Sequence, residues 1–167
     1  MPTVHGVEIR QATPEDDLVT TEHFYNMWLG MSYPADKLRP DFQQQTLRFI
    51  SDARQQKQYK CFIAEMHGTP VGTVCCQLYM GLYPLVFEES DRKLGYIWCV
   101  YVDPEHRSEG IGKQLTQEAV TYLQSIQCTR VVLHASAKGK AIYQSLGFVN
   151  NNEMKFDISN TLPHIPS

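Results

Sequence analysis

The stretch Asp103-Pro104-Glu105-His106-Arg107-Ser108-Glu109-Gly110-Ile111-Gly112-Lys113 separates two segments of different periodicity, and that contrast decides the fold. Before it, Leu94 to Val102 is apolar on both faces, the pattern of a strand central in its sheet. After it, Ile111, Leu115, Ala119, Tyr122 and Ile126 recur at helical spacing. A glycine-rich turn that opens a helix is suited to hold an anion. The first-turn N–H groups have no partner within the helix, the macrodipole adds positive potential, and glycines keep Cβ atoms out of the way. Arg107 and Lys113 add positive charge at the rim.

Working outward, Arg130 to Ala135 reads as another buried strand, so Leu94 to Ala135 makes a parallel strand–helix–strand unit. Gly139 to Leu146 is expected as a short helix, Phe148-Val149 and Met154 to Ile158 as a closing strand pair, and the tail from Asn160 as loose. Upstream, Cys61 to Met66, the turn His67-Gly68-Thr69-Pro70 and Val71 to Met80 form a hairpin. Val7 and Ile9 alternate with Glu8 and Arg10 as a half-buried strand. Thr13-Pro14-Glu15-Asp16 is a helix start, with Leu18, Tyr25, Trp28 and Leu29 expected on the apolar face and a break at Gly30 to Pro34. A second helix follows from about Asp41, with Phe42, Thr46, Phe49, Ile50 and Ala53 on one face. The order is β-α-α-β-β-β-α-β-α-β: an α/β (mixed α+β) domain over residues 1–160 with a mixed sheet, and a loose tail over 161–167.

Composition narrows the function. The 167 residues are 43% hydrophobic and 20% charged, with a formal net charge of -3. No basic footprint of a phosphate-gripping nucleic-acid binder is present. The longest apolar runs fall far short of a bilayer span, and the charged N-terminus resembles no signal peptide, so no membrane partner is expected. Cys61, Cys75, Cys76, Cys99 and Cys128 are odd in number and show no metal-ligand spacing. Reduced, largely buried thiols, a cytoplasmic location and no metal are the expectations.

The turn is not a P-loop, because Gln114 follows Lys113, nor a dinucleotide fingerprint, because Leu115 stands where a third glycine belongs. Arg107-Ser108-Glu109-Gly110-Ile111-Gly112 matches Arg/Gln-x-x-Gly-x-Gly/Ala, and Ala141-Ile142-Tyr143-Gln144-Ser145-Leu146-Gly147-Phe148 supplies a C-terminal tyrosine and Gly-Phe pair. On these motifs and the element order, from about Val7 to Ile158, the chain resembles the GNAT superfamily of acetyltransferases.

The resemblance implies acetyl-CoA as co-substrate, held without metal between two splayed parallel central strands. It implies that the backbones of Val100 and Val102, with Tyr101 between them, pair with pantetheine. A bulge near Cys99 to Tyr101 would aim an N–H at the thioester carbonyl. The segment Arg107, Ser108, Glu109, Gly110, Ile111, Gly112 and Lys113 would take the pyrophosphate. Tyr143 becomes the acid that protonates the departing thiolate, and its alternative is a tyrosine that merely packs on the sheet. Ser136 stands where many relatives carry a cofactor-contacting Asn, which weakens that contact. Tyr96 stands where several relatives carry a glutamate base, so the base stays open among His134, Glu88, Glu89, Glu22 and water.

The acceptor implied is a primary amine, with a small molecule favoured. The aromatic break Trp28-Leu29-Gly30-Met31-Ser32-Tyr33 suggests an apolar or aromatic body for it. A protein Nα- or lysine acetyltransferase and a catalytically silent acyl-CoA binder are the alternatives. A homodimer is compatible with the resemblance.

Overall fold

The computed structural model describes residues 6–80 and 83–158; the tail over 161–167 lies outside them. Five strands form one mixed sheet in the order β1-β2-β3-β4-β5. They are β1 (Val7–Gln11), β2 (Lys60–Met66), β3 (Thr69–Leu78), β4 (Leu94–Val102) and β5 (Arg130–Val132). The helices are α1 (Asp17–Gly30), α2 (Phe42–Gln56), α3 (Ile111–Ser125) and α4 (Lys140–Ser145). The first four strands pair antiparallel and β4 pairs parallel with β5, as the hairpin and the strand–helix–strand unit require. The β2–β3 hairpin turns on His67 and Gly68, both at positive φ (51° and 77°), the backbone that matches strand twist in a two-residue turn.

Each sheet face carries its own core. On one face α3 buries Ile111, Leu115, Ala119 and Leu123 against Val74, Cys76 and Ile97. Gly95 makes this possible: a Cβ there would stand 2.7 Å from Leu123 Cδ1. On the other face Ile50 and Ala53 of α2 meet Tyr59, Cys61, Ile63, Cys75 and Cys99. The expected α2 face is borne out at Thr46, Ile50 and Ala53. All five cysteines are free, and Cys61, Cys75, Cys76 and Cys99 are buried. Burial raises the Cys75 and Cys76 thiols well above their ordinary range, so they pack as small apolar groups.

Three expectations need correction. The buried face of α1 is Thr20, Thr21 and His23, while Leu18 is 56% exposed and Leu29 also faces solvent. The two hydroxyls are satisfied differently: Thr21 Oγ1 donates to Asp17 O at 2.9 Å within the helix, and Thr20 Oγ1 lies 3.5 Å from Cys61 Sγ on β2. β5 ends at Val132 rather than Ala135. No strand forms over 149–158, although Met154, Phe156 and Ile158 keep the period of two. Because β5 stops early, the described sheet offers this segment no ladder, and Met154 remains 94% exposed.

Candidate active site

The site grows from β4. From Trp98 to Tyr101 this strand spends one residue more than β3 does from Cys75 to Thr73, and Cys99 sits at φ 53°. The extra residue is a β-bulge, which bends the strand and re-aims its amide groups. The expected bulge near Cys99 is therefore present. His23 braces it from α1: its Nδ1 lies 2.6 Å from Thr73 Oγ1, and its ring is 4.8 Å from Tyr101. Burial lowers the His23 pKa, so the ring is neutral. Sequence reasoning missed His23, because a polar residue at helical spacing with Thr20 reads as part of a solvated face.

β4 also parts from β5. Their pairing covers only Leu94 to Tyr96, opposite Arg130 to Val132, whereas β4 runs on to Val102. The Asp103 N–H donates to Val71 O at 2.8 Å, towards β3. By strand alternation the N–H and C=O of Val102 point to the other, open edge. Val102 O there accepts Arg107 Nε at 2.9 Å, and the guanidinium carbon lies 6.0 Å from the Tyr101 ring centre. Arg107 thus ties the turn to the strand end. Tyr101 itself donates to Asp103 Oδ1 at 2.9 Å, and burial pushes its phenol up to about 12.

Ser108 (φ 68°) and Gly110 (φ 87°) both adopt left-handed backbone, and Gly110 caps α3. The hydrogen bond from Gln114 N to Gly110 O is the first of the helix, so the N–H groups of Ile111, Gly112 and Lys113 have no acceptor within it. Gly112 leaves room beside them: the atom nearest to a Cβ built there is Val102 Cγ2, at 3.7 Å. Ile111 buries its side chain in the core, and Glu109 is exposed. These features fit an extended ligand with an anionic group at one end: an open strand edge running into a vacant helix turn.

Tyr143 lies on α4, its ring against Gly139 and edge-on to Phe148 at 6.0 Å. Burial pushes its phenol up to about 12, which keeps the proton on oxygen at neutral pH. The Ser136 hydroxyl accepts the Gly139 N–H at 3.2 Å and so serves the start of α4.

Among the residues considered for a base, Glu89 pairs with Lys93 at 3.4 Å, and Glu22 and Glu88 are exposed. His134 differs from them. Its Nδ1 is 3.0 Å from the Tyr96 hydroxyl and its Nε2 is 3.0 Å from Glu153 Oε2. Among the described residues no group of three or more His, Cys, Asp or Glu could hold a metal, and no helix is long and apolar enough to cross a membrane.

A model of the acetyltransferase (GNAT) family matches residues 22–148. Glucosamine 6-phosphate N-acetyltransferase from Trypanosoma brucei brucei is 31% identical over 53% of this chain and 60% of its own length. A GCN5-related N-acetyltransferase from Ralstonia eutropha JMP134 superposes with a TM-score of 0.76 at 25% identity, covering 92% of this chain and 99% of that one. A predicted acetyltransferase from Clostridium acetobutylicum, solved with acetyl-CoA, shares the fold with a TM-score of 0.77 at 18% identity, covering 91% and 96%. Other matches are named as a mycothiol acetyltransferase, an N-alpha-acetyltransferase and a thialysine N-epsilon-acetyltransferase, so these names fix no single acceptor class. The chain spans 60% and 46% of the lengths of the first two curated relatives. With the family pattern covering most of the chain and the same architecture in both solved structures, this protein belongs to the acetyltransferase (GNAT) family.

Proposed function

We propose that this chain is an N-acetyltransferase that moves the acetyl group of acetyl-CoA to the primary amine of a small molecule, by direct attack in a ternary complex, and that residues 1–160 act as one domain. One observation carries the reading: among the described residues β4 has no β5 partner beyond Tyr96, and that open edge runs towards the first turn of α3, whose N–H groups have no acceptor within the helix. The backbones of Val100 and Val102 would take the pantetheine arm as an added strand, with Arg107 holding the Val102 end. The N–H groups from Ser108 to Lys113 would take the pyrophosphate. The Cys99 bulge re-aims the local amides, and one of them would meet the developing negative charge.

Acetyl-CoA supplies an activated acyl group and a thiolate leaving group. The chain's task is to bind, to orient the amine and to move protons. Tyr143, neutral through burial, is the acid assigned to the thiolate. Ser136 plays a lesser part, since its hydroxyl already serves Gly139.

A small acceptor is favoured by the shape of the loop that follows β3. A cavity of about 260 Å³ there is lined by Leu78, Tyr79, Met80, Phe87 and Leu94, with Glu89, Arg92 and Lys93 also in its wall, and the Tyr79 ring lies 5.3 Å from that of Tyr96. A mostly apolar hollow of this kind suits a compact apolar body rather than a basic peptide. The test is thiol release from acetyl-CoA over phenethylamine, spermidine, glucosamine 6-phosphate, an alanine-led peptide and a lysine-rich peptide. Fastest turnover of a small amine is expected; fastest turnover of either peptide overturns the acceptor class, and no turnover of any overturns the enzyme.

A further inference from the structure

We propose that Tyr96, His134 and Glu153 form a proton relay that deprotonates the incoming ammonium group of the acceptor, with Tyr96 as the catalytic group that touches it. The inference rests on the acetyl-transfer reading above and supplies the base which that reading lacks. An alkyl amine with a pKa near that of lysine, about 10.4, carries fewer than about one free amine per thousand molecules at pH 7. Attack on the acyl carbon needs the nitrogen lone pair, so a proton must leave first.

Three hydrogen-bonding groups stand in series where that proton would leave. Tyr96 is the last β4 residue paired with β5, opposite Val132, so it marks the fork where the strands part. It is the cross-strand partner of Gln77, which accepts from Trp98 Nε1, so Tyr96 shares the sheet face of Trp98 and the α1–α2 side. His134 follows two residues after the end of β5, with its Nδ1 3.0 Å from the Tyr96 hydroxyl. Glu153 closes the series at 3.0 Å from Nε2. A carboxylate only accepts, so in the neutral imidazole Nε2 carries the hydrogen and donates to Glu153. Nδ1 is then the acceptor of the Tyr96 O–H, which leaves the phenol oxygen able to accept in turn. Among the described residues, Tyr79, which follows β3, is the other titratable group against Tyr96. Burial, Tyr79 and Glu153 all raise the Tyr96 phenol, so it enters the relay protonated.

The protons balance. One ammonium proton passes to Tyr96 Oη as the Tyr96 proton passes to His134 Nδ1, which leaves an imidazolium beside the Glu153 carboxylate. The side chain of His134 is 62% exposed, so that proton drains to water. After attack, Tyr143 gives its proton to the thiolate as the carbon–sulfur bond breaks, and the second nitrogen proton passes through solvent to restore the Tyr143 phenol. The products are the amide, the free thiol and one proton in solvent. Tyr96 touches the reacting group; His134 and Glu153 act through it as positioning residues.

The experiment uses Tyr96→Phe, His134→Ala and Glu153→Gln, with the fastest amine of the panel above. Tyr96→Phe and His134→Ala should lower turnover at pH 7 by about 10²-fold, the lower end for a positioned base, with melting temperature and acetyl-CoA affinity unchanged. The loss should shrink as pH approaches the amine's own pKa, and added imidazole should restore part of the His134→Ala activity. Glu153→Gln should cost less, since it removes only the charge beside the ring. In the unliganded parent, the ¹⁵N shifts of the His134 ring should report hydrogen on Nε2 and a bare Nδ1. Variants within twofold of an active parent, a pH-independent loss without imidazole rescue, or hydrogen on Nδ1 overturns the relay alone. A parent inactive on every amine overturns the acetyl-transfer reading and the relay with it.

Discussion

β4 has two edges of unequal character. Towards β3 it is paired from Gly95 opposite Leu78 to Val102 opposite Gly72, interrupted only at the bulge. Towards β5 it is paired over Leu94 to Tyr96 alone. An exposed strand edge is ordinarily a liability, open to pairing with another chain. Here the closed edge, the α3 core beneath it and the His23 brace fix the strand firmly enough to leave the other edge vacant. On the proposed reading the closed edge carries stability, and the open edge would carry binding and chemistry. Substitutions on the two sides should therefore separate cleanly.

The largest effect is expected at the open side. Tyr143→Phe keeps the ring, its seat on Gly139 and its contact with Phe148, and removes only the hydroxyl. If the phenol acts as sulfur leaves, as proposed, turnover should fall by about 10²–10⁴-fold while melting temperature and acetyl-CoA affinity hold. Turnover within twofold of the parent would make Tyr143 a packing residue.

The counterpart on the closed side is Leu115→Ala. Leu115 is fully buried, with Cδ1 only 3.1 Å from where a Cβ on Gly72 would stand. Its truncation should cost about 2–5 kcal/mol of unfolding free energy in denaturant titration. Acetyl-CoA affinity of the remaining folded protein should stay within a few-fold. A collapse of affinity would show that the edges are not separable.

The brace between the edges gives a smaller, pH-dependent effect. His23 is 6% exposed and its pKa is lowered in the fold. Below the unfolded value of about 6.5 the unfolded chain binds a proton that the folded chain resists, so stability falls with acid at up to about 1.4 kcal/mol per pH unit until the lowered pKa is reached. In His23→Gln that component should vanish, and melting temperature should depend less on pH between 7 and 5. An unchanged slope would show that His23 accepts a proton in place.

The smallest effect lies farthest from both edges. Asp16 pairs with Arg10 at 2.8 Å, and that guanidinium holds its carboxyl well below the usual carboxylate range. A lowered carboxyl pKa stabilises above the unfolded value of about 3.9, and the benefit is lost as pH falls below it. Asp16→Asn should cost about 0.5–1 kcal/mol at pH 7, read from thermal melts, and leave turnover untouched.

The α3 face and β4 were legible in the sequence because aliphatic residues at helical or strand spacing leave one way to bury them. Ile111, Leu115 and Ala119 lie where their spacing puts them. The α1 face was not legible, since Thr20 and His23 are buried polar residues whose partners, Cys61 and Thr73, arrive from distant strands, while Thr21 is satisfied by Asp17 within the helix. The strand expected at Met154 to Ile158 failed for a related reason: alternation shows what a segment suits, but whether a ladder reaches it depends on where β5 stops. Within the site, Gly110 and the bulge were readable from the motif and its offset. The hydrogen bonds from Tyr96 to His134 and on to Glu153 were not, because 38 and then 19 residues separate groups that only the fold brings together.

The central claim is that the open edge of β4 and the turn at Gly110 together hold acetyl-CoA. Isothermal titration of the parent and of Gly110→Val with acetyl-CoA tests it most directly, beside melting curves of both. Gly110 caps α3 at φ 87°, a backbone that valine resists, so the variant distorts the turn while the sheet and its cores remain. Saturable heat and a raised melting temperature in the parent, with both lost in a Gly110→Val protein that still melts cooperatively, is the predicted result. No heat and no thermal shift in the parent at saturating acetyl-CoA, or undiminished binding by the variant, would contradict it.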